Sequence, residues 1–412
     1  MPSVVMVNAV CSGSHGRIMS DIGRAAQAAG FRTHIAFARG AANGADIRIG
    51  SMRDVYLHVA ATRLLDRHGR ASRRATERLT RQLADLRPDV LHLHNAHGYY
   101  LHYETFFAFL RQSGIPTVWT LHDCWAVTGH CSHFVRANCM RWRDGCHRCP
   151  LRREYPQSWL WDASRENWRR KRDAFSELPN LTLALPSRWL EGVVADSFLR
   201  DVPRRVIPNG VDLSLFSPRG DGGQTRSALG IGPEEPLLLA VAAPFDARKG
   251  YADALEVARR TRGRARVVLV GLTPAQLRSL PEGVVGLART EGPEALVSLL
   301  SAADCLLNPT YEDTYPTVNM EAMASGTPVA AYAVGGCVEQ LEAPVGMTVP
   351  CGNAQALAEA ALALAALSTD SVMTELQECL DKNIPVIGFD SGVPNAPEGA
   401  IKATASTNNQ NA

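Results

Sequence analysis

The sequence predicts two doubly wound α/β domains facing each other across a cleft, and three observations carry that reading. Short apolar runs alternate with helical stretches along the chain. The alternation breaks at a Gly- and Pro-containing stretch, Ser217–Pro236, and then starts again. The length of 412 residues also exceeds one ordinary core, at ~100–200 residues per domain.

In the front half, strands are expected at Val4–Val10, Thr33–Ala38, Val90–His94, Thr117–His122 and Leu181–Pro186, with helices such as Ile18–Ala29 and Thr105–Gln112 between them. After the break, strands are expected at Leu237–Ala243, Val267–Val270, Cys305–Asn308, Val329–Val334 and Met347–Val349. The matching helices are Ala252–Arg260, Glu294–Ala303 and Gln355–Ala366. The domains are therefore drawn as 1–205 and 206–367, followed by a tail of different character, 368–412. In open parallel sheets ligands bind at the carboxyl ends of the strands, so chemistry is sought in the loops that follow them.

An apolar content of 46% with 20% charge is that of a soluble globular protein, and no apolar run approaches the roughly 18 residues that cross a bilayer. The opening MPSVVMVNAV reads straight into a strand without a charged lead or cleavage site, which points to the cytoplasm. The net charge of +2 conceals an asymmetry: residues 1–205 carry 30 Lys and Arg against 18 Asp and Glu, a balance of +12, and residues 206–412 carry 13 against 23, a balance of −10. A basic front half suits an anionic acceptor or an anionic membrane face. The competing reading is a coding bias, since 39 of the 43 basic residues are Arg. Arg63, Arg67, Arg70, Arg73, Arg74, Arg78 and Arg81 recur at roughly helical spacing, as one face lying on lipid would require, or as a solvated helix surface would.

The first strand runs into Cys11-Ser-Gly-Ser-His-Gly-Arg17. Gly13 and Gly16 permit a tight turn and close approach of backbone to a ligand, and the helix that follows offers unpaired N–H groups to an anion; a plain strand-to-helix turn would look the same. His122 and Asp123 close the fourth strand, where a cleft-facing pair would stand, although a histidine satisfied by a nearby carbonyl is the commoner case. Cys124, Cys131, Cys139, Cys146 and Cys149 then crowd together with four histidines. The C-x2-C pair and the low apolar content of this loop point to a structural zinc held by Cys131, Cys139, Cys146 and Cys149, with free thiols as the rival. Arg248 and Lys249 precede a helix start after the first rear strand, an arrangement suited to a pyrophosphate. The densest signal is Asn308-Pro-Thr-Tyr-Glu-Asp-Thr-Tyr-Pro-Thr-Val-Asn-Met-Glu321. It places Glu312 and Asp313 in a loop, Pro316 as the first residue of a short helix, and Glu321 one to two turns inside that helix, where a carboxylate can accept ribose hydroxyls. Gly335-Gly336 is expected to leave backbone room beside the same ligand.

The stretch from Asp313 to Glu321, followed by Ala-Met-Ala-Ser-Gly-Thr-Pro-Val, resembles the acid-x7-acid signature of the GT-B retaining glycosyltransferases, family 4. Gly13–Arg17, Thr120–Asp123, Ile207-Pro-Asn-Gly-Val-Asp212, Arg248-Lys249-Gly250 and Gly335–Glu339 follow in the matching order, over roughly the first 365 residues. The Cys-rich insert, 124–150, is similar to that of a subgroup associated with colanic acid and other exopolysaccharides. The resemblance implies a GT-B fold of two facing Rossmann-like domains, the front one on the acceptor side and the rear one binding a nucleotide sugar.

It further implies retaining transfer from a nucleoside diphosphate sugar to a glycan or lipid-linked acceptor, with no metal needed for the chemistry. No nucleic-acid partner is expected, and the arginine series, if it lies on lipid, puts the protein at the inner face of the plasma membrane. By the same resemblance His122, Asp313 and Lys249 serve catalysis, and Arg248, Lys249, Glu312, Thr314, Tyr315, Pro316, Thr317 and Glu321 hold the donor beside Gly13 and Gly16. Two departures stand out. The first acid is Asp313 where the family usually has glutamate, with Glu312 as a substitute, and Pro244 occupies the usual position of an arginine. The tail resembles a fragment of a periplasmic sugar-binding protein, so a catalytically silent nucleotide binder and a transporter component remain alternatives, with an epimerase a weaker one.

Overall fold

The computed structural model describes residues 1–367 apart from 43, 342, 344 and 345. The tail, 368–412, and its resemblance to a sugar-binding protein lie outside the described residues. Among them, two parallel sheets are formed. The front sheet contains β1 (Ser3–Val7), β2 (Arg32–Phe37), β3 (Ile47–Arg48), β4 (Val90–Leu93), β5 (Thr117–Thr120), β6 (Leu181–Leu185) and β7 (Arg204–Val206), in the order β3-β2-β1-β4-β5-β6-β7. Its helices are α1 (Gly13–Ala28), α2 (Met52–Leu65), α3 (Arg73–Leu86), α4 (Tyr103–Ser113), α5 (Ser164–Phe175) and α6 (Arg188–Ala195). All five residues of β1 are buried, and an unbroken apolar run is what a parallel strand covered on both faces requires. The strand order reverses between β1 and β4, which opens a crevice at their carboxyl ends for the loops that follow them.

The rear sheet contains β8 (Leu237–Val241), β9 (Arg266–Val270), β10 (Val284–Leu287), β11 (Cys305–Asn308), β12 (Val329–Tyr332) and β13 (Gly346–Val349), ordered β10-β9-β8-β11-β12-β13. Around it lie α7 (Gly222–Ala228), α8 (Tyr251–Arg260), α9 (Pro274–Arg278), α10 (Pro293–Ala302), α11 (Thr317–Ala324), α12 (Cys337–Gln340) and α13 (Ala354–Ala365). Here the reversal falls between β8 and β11, so the loops carrying Lys249 and Asp313 meet. α7 lies inside the stretch expected as a connector. It buries no residue, which is why periodicity gives no sign of it, and it leans on α10, where Ser298 Oγ donates to Asp221 Oδ2 at 2.7 Å.

The arginine series does not form one helical face. It divides between α2, the 66–72 joint and α3, and several members are paired: Arg70 with Glu104 at 3.3 Å, Arg73 with Glu77 at 2.9 Å and Arg78 with Asp54 at 3.7 Å.

Aromatic rings fill the front core. Phe175 is completely buried and lies 5.2 Å from Tyr103, 4.5 Å from Phe107 and 5.0 Å from Trp119, centroid to centroid. His58, on the inner face of α2, is also fully buried. Its Nδ1 meets Ser72 Oγ at 2.8 Å and its Nε2 accepts the Gly69 N–H at 2.9 Å, so the ring must stay neutral to keep both bonds. Burial, with His102 nearby, pushes its pKa down to about 3.

Two outcomes follow. Phe175→Ala should cost about 3–5 kcal/mol in urea unfolding, from lost transfer energy and the cavity left behind. For His58 the unfolded chain binds a proton below its ordinary value near 6.5, whereas the folded chain does so only near 3, so stability falls as pH drops through that window. The expected slope is about 1.4 kcal/mol per pH unit from this residue alone. A His58→Gln variant should flatten the profile between neutral and mildly acidic buffer, and an unaltered profile would contradict the assignment.

Candidate functional site

Lys249 and Asp313 reach the cleft from the loops after β8 and β11, and Lys249 Nζ lies 2.6 Å from Asp313 Oδ2. Asp313 Oδ1 also accepts the Tyr315 N–H at 3.2 Å. Burial raises the Asp313 pKa, but Lys249, His133 and Arg248 together outweigh it and hold the group ionised below the usual range. Gly250, in the left-handed region at φ 76°, turns the chain into α8 directly after Lys249. Gly335 and Gly336 do not leave open room for a ligand. A Cβ on Gly335 would sit 1.7 Å from the Asp313 carbonyl oxygen, and one on Gly336 would sit 2.1 Å from that of Thr314, so the pair seats the acidic loop itself.

Glu321 stands on the second turn of α11, only 5% exposed. It forms an ion pair with Arg17, which reaches across from α1 of the front domain. Burial raises the Glu321 pKa, with Arg17 and the Thr317 hydroxyl opposing. A cavity of about 330 Å³ opens here, lined by Ser14, Arg17, Asp21, Asp212, Thr317 and Glu321 among others. Pro316 is the residue before the helix rather than its first turn, because its ψ of 122° is extended.

The remaining members of the acidic loop hold the domains together. Glu312 is 2% exposed and its Oε1 accepts the Arg136 N–H at 2.8 Å, which turns it toward the Cys-rich insert and not toward Asp313's position. Thr314 Oγ1 donates to the His122 carbonyl at 2.7 Å, and the Tyr315 carbonyl accepts from Asn209 Nδ2 at 3.3 Å. Glu339, just inside α12, receives the Arg188 and Trp189 N–H groups at 2.8 and 2.7 Å and so closes the amino end of α6 from the other domain.

His122 is buried in a stack of imidazoles. Its ring centroid is 4.5 Å from that of His15, and its Nε2 is 3.0 Å from His94 Nδ1. Burial, with His15 beside it, holds His122 well below its ordinary pKa, so the ring is neutral. His15 is held by Asn95 Nδ2 at 3.1 Å and feels Asp123 and Asp313 from the two domains at once. Asp123 pairs with His97 at 2.8 Å. Gly13 adopts φ 72° with open space where a side chain would be, whereas Gly16 is needed because a Cβ would fall 2.4 Å from the Cys11 carbonyl carbon. Sequence reasoning named the turn that holds His15 and Arg17 but gave neither residue a task. Their partners are distant in sequence, and no local spacing signals them.

The four cysteines expected to bind zinc do line one small cavity, of about 10 Å³. Among the described residues, however, no group of three or more His, Cys, Asp or Glu is arranged to hold a metal ion, and the expected zinc site is not supported. The cysteines are free thiols with local partners: the Cys131 thiol is hydrogen-bonded to Cys149, and Cys146 accepts the Gly129 N–H at 3.1 Å. The insert nonetheless has an apolar filling, because Val127, Phe134 and Trp142 join the front core. Beneath them the buried Lys171 donates to the carbonyls of Trp125 and Thr128 at 2.6 and 2.9 Å.

Residues 15–215 match the family described as Glycosyltransferase Family 4, and residues 235–367 match Glycosyl transferases group 1. Over 272 residues the chain is 28% identical to WcaC of Escherichia coli K12, named for colanic acid biosynthesis, covering 64% of each protein. It is 37% identical over 147 residues to the D-inositol 3-phosphate glycosyltransferase of Nocardia farcinica, covering 32% of each. These alignments thus span less than two thirds of the length of either relative. In solved structures the fold matches sucrose-phosphate synthase of Thermosynechococcus elongatus with a TM-score of 0.64 at 17% identity, covering 93% of this chain and 99% of that one. It also matches Anabaena Alr3699/HepE in complex with UDP-glucose, at 0.61 and 14%, covering 92% and 99%. Two parallel-sheet domains, an acidic loop set against a basic turn and two adjoining family matches agree: the chain belongs to the glycosyltransferases of GT-B fold, with the family 4 domain in front and the group 1 domain behind.

Proposed function

We propose that the protein is a retaining glycosyltransferase that moves a sugar from a nucleoside diphosphate donor to a glycan or lipid-linked saccharide in exopolysaccharide assembly, on the cytoplasmic side of the membrane. The observation that carries this is the Lys249–Asp313 pair at 2.6 Å, set between the two domains' strand ends with Arg248 beside it. The name of the colanic acid relative supports the pathway class, and the UDP-glucose complex of HepE supports the donor class.

In this reading Lys249 and Arg248 take the diphosphate, whose charge grows as the glycosidic bond breaks. Lys249 exchanges the Asp313 carboxylate for phosphate oxygens, and Asp313 turns to a hydroxyl of the donor sugar. Glu321 exchanges Arg17 for the ribose hydroxyls. The neutral His122 approaches the sugar from the front domain as a hydrogen-bonding group, not as a charge. The C–O bond to phosphate breaks through an oxocarbenium-like state, the acceptor oxygen bonds on the same face, and its proton passes to the departing phosphate. The cationic side chains supply the stabilisation that a metal would give elsewhere. Asp313 and Glu321 position the donor; neither is asked to act as an acid or base.

A panel of nucleotide sugars read by mass spectrometry should yield transfer or slow hydrolysis from at least one donor. Lys249→Ala is expected to lower kcat by roughly 10²–10³-fold, the scale for a lost charge-stabilising donor. Glu321→Ala should act mainly on donor KM, by roughly 10–100-fold for the loss of charge-assisted hydrogen bonds. Unchanged turnover in both variants would overturn the site, and calorimetric nucleotide binding without any product would overturn the activity.

A further inference from the structure

α2 leaves large apolar side chains on its outer face. Val55, His58 and Thr62 point inward, and Tyr56, Leu57 and Leu64 stand 67%, 69% and 43% exposed on the outside. The loop after the Cys-rich insert adds Trp159, Leu160 and Trp161, at 42%, 72% and 63% exposed. Loop and helix are joined: the Trp159 N–H donates to the Arg63 carbonyl at 2.6 Å, and the Arg63 guanidinium lies 5.0 Å from the Trp159 ring centroid. Arg152 Nη1 holds the Trp159 carbonyl at 2.9 Å from the other side. Large apolar side chains clustered in this way mark interaction sites on protein surfaces.

Arginine outnumbers acid around the patch, and the acids there are engaged by partners. Arg53, Arg63 and Arg67 are exposed on or beside α2. The single acid of α2, Asp54, is engaged with the Ser51 N–H and hydroxyl at 2.8 Å. In the loop, Glu154 is paired with Arg136, and Asp162 receives the N–H groups of Cys149 and Ser164 at 2.7 and 2.9 Å. Tryptophan, tyrosine and leucine interleaved with unpaired arginine is the composition that settles at the headgroup level of an anionic bilayer. The patch also adjoins the cleft, since Tyr155 Oη is 3.2 Å from His97 Nδ1 and His97 pairs with Asp123, the neighbour of His122.

We propose that this face docks on an anionic lipid bilayer, with the arginines meeting headgroups and Trp159, Leu160, Trp161, Tyr56 and Leu57 entering the interface. The front domain would then meet a lipid-linked acceptor at the membrane surface; that purpose rests on the transferase reading, but the docking does not. The test is co-sedimentation of the full chain, without donor or acceptor, with vesicles of phosphatidylglycerol and phosphatidylcholine in equal parts, against phosphatidylcholine alone. The chain should pellet with the anionic vesicles at low salt. Leu160→Ser combined with Trp161→Ser should weaken that binding about tenfold or more. Arg53→Gln with Arg67→Gln should weaken it by roughly tenfold or more, as the loss of two headgroup attractions requires. Arg74→Gln with Arg81→Gln, on the exposed surface of α3, should leave it unchanged. Circular dichroism should show all variants folded. Absence of binding to anionic vesicles, equal loss in the α3 variant, or self-association abolished by Leu160→Ser and Trp161→Ser would each overturn the proposal. Failure of the donor panel would leave this result standing.

Discussion

Everything at the cleft depends on where the backbone of Asp313 and Thr314 runs, and that is fixed by the two glycines beneath it. A methyl group on Gly335 or Gly336 would overlap a carbonyl oxygen of the loop, so the acidic loop is pressed onto the turn after β12 as closely as two main chains can approach. From that seat Asp313 meets Lys249, Thr314 reaches the His122 carbonyl and Glu312 reaches into the insert. One contact between main chains thus sets both the chemistry of the rear domain and its grip on the front one.

Among the described residues, each carboxylate around it has a partner, whether it is buried like Glu321, partly buried like Asp313 and Asp123, or exposed like Glu339. Asp313 has Lys249, Glu321 has Arg17, Asp123 has His97, and Glu339 has two N–H groups of α6. Burial alone would drive such groups to their neutral forms. The imidazoles are treated differently: His15, His94 and His122 are stacked and desolvated, which keeps them uncharged beside a cluster of acids and bases. A sheet of neutral rings next to an ionic network would suit the proposed donor, with hydroxyls on one side and phosphate on the other.

The long strands of both sheets were legible because a parallel strand covered on two faces has to be almost wholly apolar, as Val4–Val7 of β1 and all of β8 are. β3, with two residues, and β7, with two arginines in three, carry no such signal, and α7 has no buried face to betray it. At the site, Lys249, Asp313 and Glu321 could be picked out because they follow strands in short, dense motifs. Arg17 could not, because its partner is 304 residues away and appears only once the domains are docked. The insert misled for another reason. Cysteine spacing suggests a substitute for a core, whereas Phe134 and Trp142 are dispersed among polar residues and become a core only by joining the neighbouring one.

If Glu321 takes the ribose of the donor as proposed, the Arg17–Glu321 pair has a consequence for affinity. Tethered to the same molecule, the guanidinium is an intramolecular competitor for the carboxylate that the nucleoside would need, and it is present at a fixed effective concentration however dilute the enzyme. Only the fraction of molecules in which that pair is broken offers a vacant carboxylate, so the apparent donor affinity is scaled down by that fraction. Under that reading release would be helped by the same arithmetic, because the arginine would recapture its partner as the spent nucleotide departs.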